Sequence, residues 1–294
     1  MKNKYKICAL IVTYNCWEDV YNTIDSVISK VEELVIVDNG SETETIEALN
    51  KYREHSNVTV LLNKVNLGIA KALNVGADYA IEKGYNWILT LDDDSIVTDS
   101  MLDIMMKAYE SLNEVESANI AILAPKHIEK AVSFDKHIDE GDKLTITKVN
   151  TEITSGNLVK LEALKEIGMY REEYFIDFVD HYLCLALRRK GYEIVRVEEA
   201  ILLHSLGVSD PKVILGKAIT VTNHSPVRRY YMTRNRLSMW KEFNEEFPAW
   251  VKEDKGRFIN ESIKILLYEE QKCKKLKMIA KGIRDYKKGK YGPI

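Results

Sequence analysis

Apolar runs rich in β-branched residues alternate with helical patterns over the first 125 residues of the chain. The runs predict five strands, at residues 5–12, 33–37, 58–62, 85–91 and 119–123. Apolar residues at helical spacing fill the gaps and predict helices at residues 17–29, 42–53, 67–82 and 101–109. Short connections between alternating strands and helices are typical of a parallel sheet with right-handed crossovers. The predicted fold class is therefore α/β, with a mostly parallel sheet flanked by helices.

The regular alternation stops after Pro125. Residues 126–150 are polar and give no assignment beyond the strand-like end of a hairpin at 144–149. Further strands are predicted at residues 151–160, 192–197 and 200–206, and helices at 161–167 and 179–190. From about residue 226 the pattern is helical to the end of the chain. We expect an α/β domain at residues 1–210 and a C-terminal helical region at residues 211–294.

The composition excludes several classes of protein. A hydrophobic content of 46% supports a folded core, and a net charge of −3 does not suggest a nucleic-acid partner. No stretch approaches the roughly 18–20 apolar residues of a membrane span, and the first strand follows residues 1–4 so directly that we expect no signal peptide. The four cysteines (Cys8, Cys16, Cys184 and Cys273) lack metal-site spacing, and the apolar run around Cys8 indicates a reduced thiol in a cytoplasmic protein.

Three consecutive acids, Asp92, Asp93 and Asp94, end the buried run at residues 87–91. Like charges repel unless a cation lies among them, and oxygen ligands suit a hard divalent ion such as Mg²⁺ or Mn²⁺. In an open α/β sheet, ligands bind at the carboxyl ends of the strands, where this cluster falls. The alternative is a solvated acidic turn before the next helix, with Ser95 or Asp99 as its N-cap.

Polar residues also end the other early strands. The first strand is followed by Thr13, Tyr14 and Asn15, the second by Asp38, and the third by Asn66 and Gly68. Polar groups from several strands at one sheet edge suit a polar ligand of several parts, although each segment alone is also an ordinary turn signal. A carboxylate at Asp38 is suited to accept the imide N–H of uracil or thymine. Neither a Gly-x-Gly-x-x-Gly fingerprint nor a P-loop is present, so a bound diphosphate needs a metal.

The polar segments occur in an order that resembles a known family, the family 2 glycosyltransferases, and within it the bacterial rhamnosyltransferases. The matching segments are residues 12–15 (VTYN), 37–41 (VDNGS), 66–74 (NLGIAKALN), 91–95 (LDDDS), 154–157 (TSGN), 175–180 (FIDFVD), 204–207 (HSLG) and 225–235 (SPVRRYYMTRN). They extend over nearly the whole chain. The first half implies the GT-A (Rossmann-like) nucleotide-sugar fold. The second half, especially the segment at 225–235, implies the rhamnosyl branch and, less strongly, relatives that use other deoxy or furanose donors.

The resemblance implies roles for individual residues. Asp94 is expected to bind Mn²⁺ or Mg²⁺ directly, with His204 as a further ligand and Asp92 either as a ligand or near the ribose. Where rhamnosyltransferases often carry an amide between the two acids, this chain has Asp93. The expected nucleotide and donor contacts are Thr13, Tyr14, Asn15, Asp38, Asn66, Gly68, Asp92, Asp93, Arg228, Tyr231 and Arg234.

The resemblance also implies which residues act on the acceptor. Asp180 matches the family's base position, and Asp177 is its rival. Ser155, Gly156 and Asp177 are expected near the acceptor. Tyr182 stands where an acid is frequent and Ala186 where an arginine is frequent, departures that bear on acceptor preference.

The C-terminal region carries two further patterns. Arg228, Tyr231, Arg234 and Asn235 share one side of a predicted helix that starts at Pro226, and they suit a diphosphate or sugar or else a solvated face. The last segment is basic and amphipathic, a pattern suited to an anionic membrane surface. The alternatives are a helix packed on the catalytic domain and a homodimer contact.

The predicted function is inverting, metal-dependent transfer of L-rhamnose from dTDP-L-rhamnose to a cell-surface polysaccharide or lipid-linked glycan. The expected location is cytoplasmic, at or near the inner face of the plasma membrane. Two alternatives stay open. One keeps the fold and uses a UDP-hexose or UDP-galactofuranose donor, and the other is a catalytically silent nucleotide-binding scaffold of glycan assembly.

Overall fold

The computed structural model describes residues 5–16, 19–130, 144–204, 210–214 and 217–294. Its first elements are β1 (Ile7–Thr13), α1 (Asp19–Val27), β2 (Glu33–Asp38), α2 (Thr43–Asn50), β3 (Val58–Leu62), α3 (Ile69–Glu82), β4 (Trp87–Leu91), β5 (Ser95–Val97), α4 (Met101–Glu110), α5 (Glu114–Asn119) and β6 (Ile120–Glu129). There follow β7 (Ile146–Val149), β8 (Leu158–Lys160), α6 (Leu161–Glu166), α7 (Val179–Arg189), β9 (Glu193–His204), β10 (Asp210–Ile214), β11 (Lys217–Val221), α8 (Pro226–Phe243), α9 (Pro248–Leu267) and α10 (Lys272–Lys287).

The chain forms two compact units. The first, here the sheet unit, comprises Met1–Glu172 and Asp180–Ser205, and the second, here the helical unit, comprises Glu173–Val179 and Leu206–Ile294. The loop at 173–179 thus belongs with the helices although it lies far from them in sequence. Within the described residues, no helix has both the length and the apolar content needed to cross a membrane.

The sheet is mixed, and its two halves differ. Strands β3, β2, β1 and β4 are parallel, as the alternating pattern predicts. Beyond β4, strand β8 pairs antiparallel with both β4 and β6, while β6 and β9 are parallel. β5 and β7 each pair antiparallel with β9. The expected helix-flanked α/β architecture is confirmed. The antiparallel pairings of the second half could not be predicted from the alternation of strands and helices.

Several boundaries differ from the sequence predictions. The strand predicted at 151–160 is restricted to Leu158–Lys160, and the two strands predicted at 192–206 are the single β9. The break predicted between them is an irregularity within β9, where the residue paired with β6 changes from Val197 to Ile201 between successive residues of β6. The elements β5, α5, β10 and β11 were not predicted. Residues 17–18, most of the polar segment at 126–150, and residues 205–207 of the HSLG segment lie outside the described residues.

Buried strands fix the position of the polar residues that follow them. Every residue of β1 and of β4 is buried, so the chain leaves the core only at the strand ends. The parallel register places Thr13 opposite Asp38 and Ile11 opposite Leu91. The residues that follow β1, β2 and β4 therefore meet at the same edge of the sheet.

In the helical unit, α8 and α10 approach closely at a glycine. A Cβ atom at Gly282 would lie 2.8 Å from the backbone oxygen of Tyr230, which cannot move away without disturbing α8. Gly256 on α9 has no heavy atom within 4 Å of the corresponding position. Both glycines lie inside helices, but only Gly282 has close neighbours at the position of a Cβ atom.

We expect Gly282→Ala to lower the free energy of unfolding by about 1–3 kcal/mol, the usual cost of overpacking. Gly256→Ala is the matched control and should raise it by up to about 1 kcal/mol, because alanine favours the helix. Urea unfolding followed by tryptophan fluorescence measures both changes. Equal stabilisation by the two substitutions would contradict the close packing of α8 and α10.

Candidate active site

Three side chains with metal-ligating atoms meet at the carboxyl end of β4. Asp92 and Asp94 follow that strand directly, and His204 is the last residue of β9. His204 reaches the acids because β5 pairs with β9 and places Ser95 opposite it. One ligand atom from each of the three residues lies within 4.8 Å of those from the other two. Residues predicted as metal ligands from separate segments are thus brought together.

The charges in this cluster are unbalanced. Burial raises the pKa of Asp92 to about 6; His204 opposes this shift, while Asp94, Asp93 and Asp180 add to it. The contact with Asp94 raises the pKa of His204 against the opposing effect of burial. Burial also acts to raise the pKa of Asp94, but the nearby imidazole of His204 outweighs it and leaves that pKa below its usual value. A divalent cation among these groups would offset both the burial and the neighbouring negative charge that raise the pKa of Asp92.

The surroundings of one carboxylate oxygen favour a bound metal ion. Asp94 Oδ1 is buried and has no well-aligned hydrogen-bond partner, although it lies 3.3 Å from His204 Nδ1. A buried carboxylate oxygen left in this state is costly unless it binds a cation. Two carboxylates and an imidazole form a donor set that suits a divalent ion. The residues present therefore fit a Mn²⁺ or Mg²⁺ site made by Asp94, His204 and Asp92.

Hydroxyl groups beneath the acids hold this cluster in place. Ser95 Oγ lies 2.9 Å from His204 Nδ1 and 2.6 Å from Ser155 Oγ, and Ser155 Oγ accepts the backbone N–H of Asp92. His127 Nε2 lies 2.9 Å from the carbonyl oxygen of Ser155. Sequence analysis considered Ser95 only as a helix cap. Its supporting role follows from the pairing of β5 with β9, which no local sequence pattern predicts.

Two of the residues predicted near the acceptor are buried beside β4, and their predicted role stays a prediction. Ser155 is fully buried, with its hydroxyl used by the cluster above it. Gly156 donates its N–H to the carbonyl of Thr90, and a Cβ atom there would meet Pro125 Cγ at 2.6 Å. Ser155 therefore supports Asp92 directly, and Gly156 supports the strand that precedes it.

Two predicted donor contacts, at the ends of β1 and β2, are buried in this structure, and their donor roles stay predictions. Thr13 and Asp38 are fully buried and hydrogen bonded to each other. The second carboxylate oxygen of Asp38 accepts the backbone N–H groups of Gly40 and Ser41. Asp38 therefore holds the turn that follows β2, and its carboxylate is not available to a pyrimidine in this structure.

An asparagine network lies next to that turn. Asn39 Nδ2 donates to Asn66 Oδ1, and Asn39 Oδ1 accepts from Asn63 Nδ2 and from the N–H of Leu67. Asn66 Oδ1 also accepts the N–H of Gly68, which precedes α3 with a φ of 84°. The network sets the geometry between β2 and the start of α3. The donor roles of Asn66 and Gly68 remain predictions.

The remaining predicted site residues of the sheet unit differ in exposure and in hydrogen bonding. Tyr14 is 48% exposed and so offers a ring at the sheet edge. Asn15 accepts the N–H of Glu42, and the backbone carbonyl of Asp93 accepts the hydroxyl of Thr23. Asp180 lies in the first turn of α7, near enough to Asp92 to influence its pKa. The roles predicted for these residues stay predictions.

The loop before Asp180 belongs to the helical unit and has an unusual backbone. Phe175, Asp177 and Phe178 have φ values of 66°, 64° and 66°, in the left-handed region that costs non-glycine residues about 1–2 kcal/mol each. Asn235 Nδ2 donates to the carbonyl oxygens of Tyr174, Ile176 and Asp177 and so fixes this shape. Sequence analysis named Asn235 for its helical face and missed this function.

The predicted ligand-binding face of α8 divides into buried and accessible residues. Arg234 is fully buried, and it donates to the carbonyl oxygens of Glu173, Tyr174 and Gly292. Tyr231 is 2% exposed, and its hydroxyl accepts the N–H of Ile294. Both side chains are thus buried within the helical unit, and their predicted donor roles stay predictions.

Arg228 is the accessible cation of the face. Its side chain is 44% exposed and forms a two-point ion pair with Asp177, with Nη2 2.5 Å from Oδ1 and Nε 3.4 Å from Oδ2. The Asp177 carboxylate is thereby engaged. The donor role of Arg228 and the acceptor role of Asp177 stay predictions.

Comparison with known proteins identifies the family. The model of "Glycosyl transferase family 2" matches residues 8–193. The chain is 30% identical over 248 residues to the dTDP-rhamnosyl transferase RfbF of Shigella flexneri, with 80% of each chain covered. It is also 24% identical over 250 residues to the galactofuranosyltransferase GlfT1 of Mycolicibacterium smegmatis, covering 78% of this chain and 81% of that protein.

Solved structures with the same fold include two determined with manganese. The structure of GalNAc-T7 with UDP, GalNAc and Mn²⁺ has a TM-score of 0.61 at 16% identity, covering 83% of this chain and 50% of that one. The mannosyltransferase PcManGT from Pyrobaculum calidifontis, in complex with GDP-Man and Mn²⁺, has a TM-score of 0.59 at 12% identity, covering 98% and 76%. These similarities confirm the expected GT-A fold.

We expect Asp94→Asn and His204→Ala each to weaken Mn²⁺ binding at least about tenfold, since losing even an outer partner of a metal site typically costs about 10- to 100-fold. Isothermal titration calorimetry with MnCl₂ measures the affinity. Asp103→Asn, which changes an exposed acid on α4, is the control and should bind as the unchanged protein does. Wild-type affinity in both ligand variants would exclude this cluster as the metal site.

Proposed function

The chain belongs to glycosyl transferase family 2, and we propose that it transfers L-rhamnose from dTDP-L-rhamnose to a growing cell-surface polysaccharide or lipid-linked glycan. The observation that carries the proposal is the cluster of Asp92, Asp94 and His204 at the sheet edge. The similarity to the Shigella flexneri dTDP-rhamnosyl transferase, over most of both chains, supports the choice of donor.

The leaving diphosphate requires positive charge as the glycosidic bond to phosphate breaks. A bound divalent ion supplies Lewis-acid stabilisation of that charge. In this chain Asp94 and His204 would hold the ion, with Asp92 as a third ligand. The imidazole in the donor set favours Mn²⁺ over Mg²⁺, because Mg²⁺ prefers oxygen ligands alone. Ser95 and Ser155 keep the ligands in place through their hydroxyl groups.

Proton removal from the acceptor is assigned to Asp180. In a single displacement, the acceptor oxygen bonds to the anomeric carbon as the bond to phosphate breaks, and the hydroxyl proton passes to a base. One base acting once gives inversion at the anomeric carbon. Asp180 lies in the first turn of α7, where its Oδ1 accepts the backbone N–H of His181.

The nucleoside would lie over the ends of β1 and β2. Buried Asp38 shapes the turn there without facing the ligand, so recognition falls to groups that remain accessible. Tyr14 is exposed and offers an aromatic surface on which a base can stack. We propose that the partly exposed Asn63 and Asn66, both hydrogen bonded to buried Asn39, form the polar part of this surface.

The proposal includes a cytoplasmic location, at or near the inner face of the plasma membrane. All four cysteines are free, and Cys8 and Cys184 are buried. Unpaired thiols suit a reducing compartment. A homodimer remains an open prediction of the C-terminal region.

Donor turnover without an acceptor tests the proposed donor and metal. We expect slow dTDP release from dTDP-L-rhamnose with Mn²⁺, and little release with EDTA, because the leaving group then lacks its counter-charge. The comparison donors are UDP-glucose, UDP-galactose and UDP-galactofuranose, each with Mn²⁺, Mg²⁺ or EDTA. Release from a UDP-sugar alone would overturn the rhamnosyl assignment and keep the fold. Tight nucleotide binding with no turnover of any donor, even with acceptor extracts, would favour the silent scaffold.

We expect Asp180→Asn to bind the donor with unchanged affinity and to lower acceptor-dependent transfer by at least about 100-fold, the range of general-base contributions. Calorimetric titration with dTDP separates binding from transfer, which is followed by product mass spectrometry. Glu162→Gln, an exposed acid on α6, is the control. Retained transfer in Asp180→Asn would exclude this residue as the base.

A further inference from the structure

Large apolar side chains are exposed on one face of α9. Among the described residues, thirteen large apolar side chains are exposed, and five of them fall between residues 259 and 276. Ile259, Ile263, Leu266 and Leu267 are 62%, 48%, 52% and 56% exposed. Their spacing of four, three and one residues places them on a single face of the helix. We call these four residues the apolar stripe.

The apolar stripe is not an unfilled part of the core. The opposite side of α9 buries Trp250, Val251, Asp254 and Ile265. Asp254 accepts hydrogen bonds from Trp240 and Arg236 of α8, which anchors that side. The helix therefore has its packing partner already, and the stripe faces outward in the described structure.

Basic residues adjoin the apolar stripe. Lys272, the first residue of α10, donates to the carbonyl oxygen of Leu267, the last residue of the stripe. The exposed basic residues of α10 are Lys272, Lys274, Lys277, Arg284 and Lys287. The only acid of α10 is Asp285, which is buried and paired with Lys281. The exposed charge of α10 is thus entirely positive.

We propose that the apolar stripe and the exposed basic residues of α10 bind an anionic lipid bilayer. Aliphatic side chains at the headgroup boundary and lysines beside acidic lipids are the two contributions that hold an amphipathic helix on a membrane. A second copy of the chain is a poorer partner. A twofold interface would place this patch against itself, so the lysines would face lysines. The inference rests on the location given in the proposed function and deepens it by naming the surface that makes the contact. Binding to a bilayer needs neither donor nor acceptor, so failure to bind vesicles and failure to transfer rhamnose are distinguishable results.

Flotation with lipid vesicles tests the proposal on the full chain without substrates. We expect binding to vesicles of phosphatidylglycerol and phosphatidylcholine in equal parts, and at least about tenfold weaker binding to phosphatidylcholine alone. Raising the salt concentration should weaken the binding to anionic vesicles, because salt screens the charges.

Substitutions separate the contribution of the apolar stripe from that of the basic residues of α10. Ile259→Glu/Leu266→Glu and Lys274→Glu/Lys277→Glu should each reduce binding to anionic vesicles at least about tenfold. Val115→Glu is the matched control, since Val115 on α5 is 74% exposed and lies in the other unit. It should float as the unchanged protein does. Ile259→Ser/Leu266→Ser repeats the test with a milder change, and circular dichroism verifies that each variant is folded.

Three results would overturn the proposal. The first is failure of the unchanged protein to float with anionic vesicles. The second is unchanged flotation of both the stripe and the lysine variants. The third is a dimer in sedimentation equilibrium that the stripe substitutions dissociate, since the stripe would then be a contact between copies of the chain.

Discussion

Electrostatic repulsion at the end of β4 is the constraint on which the candidate site depends. A buried parallel strand delivers Asp92 and Asp94 to one point, where burial and neighbouring charge make Asp92 hard to ionise. His204 offsets part of the charge but comes from a strand more than 100 residues later. The antiparallel β5–β9 pairing delivers it, with Ser95 opposite His204 in the register. The parallel half of the sheet therefore supplies the two acids of the cluster, and the mixed half supplies His204.

A second constraint acts on the chain just before Asp180. Three left-handed residues in the loop at 174–178 would not persist without compensation. Asn235 supplies it through one amide that satisfies three carbonyl groups, and Arg234 adds bonds to the same loop. Much of the polar segment at 225–235 thus maintains a backbone shape. Residues that resemble ligand-binding groups in sequence are here the supports of a strained loop.

The sequence predicts the parallel strands, the helices between them and the acid cluster, because each depends on local periodicity and on strand ends. It does not distinguish a polar residue that faces a ligand from one that faces the core. Thr13, Asp38 and Ser155 follow or precede strands as site residues do, yet their partners are backbone groups or buried side chains. Thr13 and Asp38 are 25 residues apart, and Ser155 lies 63 residues from Asp92, whose N–H it accepts. Local patterns identify the edge of the sheet, but contacts across such distances decide which of its polar side chains are buried.

In the helical unit, contacts between residues far apart in sequence likewise determine where the charged side chains lie. Arg236 is buried against Asp254 and Glu261, and Glu269 accepts from both Arg229 and Lys275. Removing one member of such a buried pair leaves an uncompensated charge, which typically costs about 3–5 kcal/mol. These pairs join α8, α9 and α10 in one arrangement, because each charge has its partners on another helix or in the connecting loop. That arrangement also determines which face of α9 is left outside: the charges hold Asp254 inward, so the aliphatic residues on the far side of the helix must face outward.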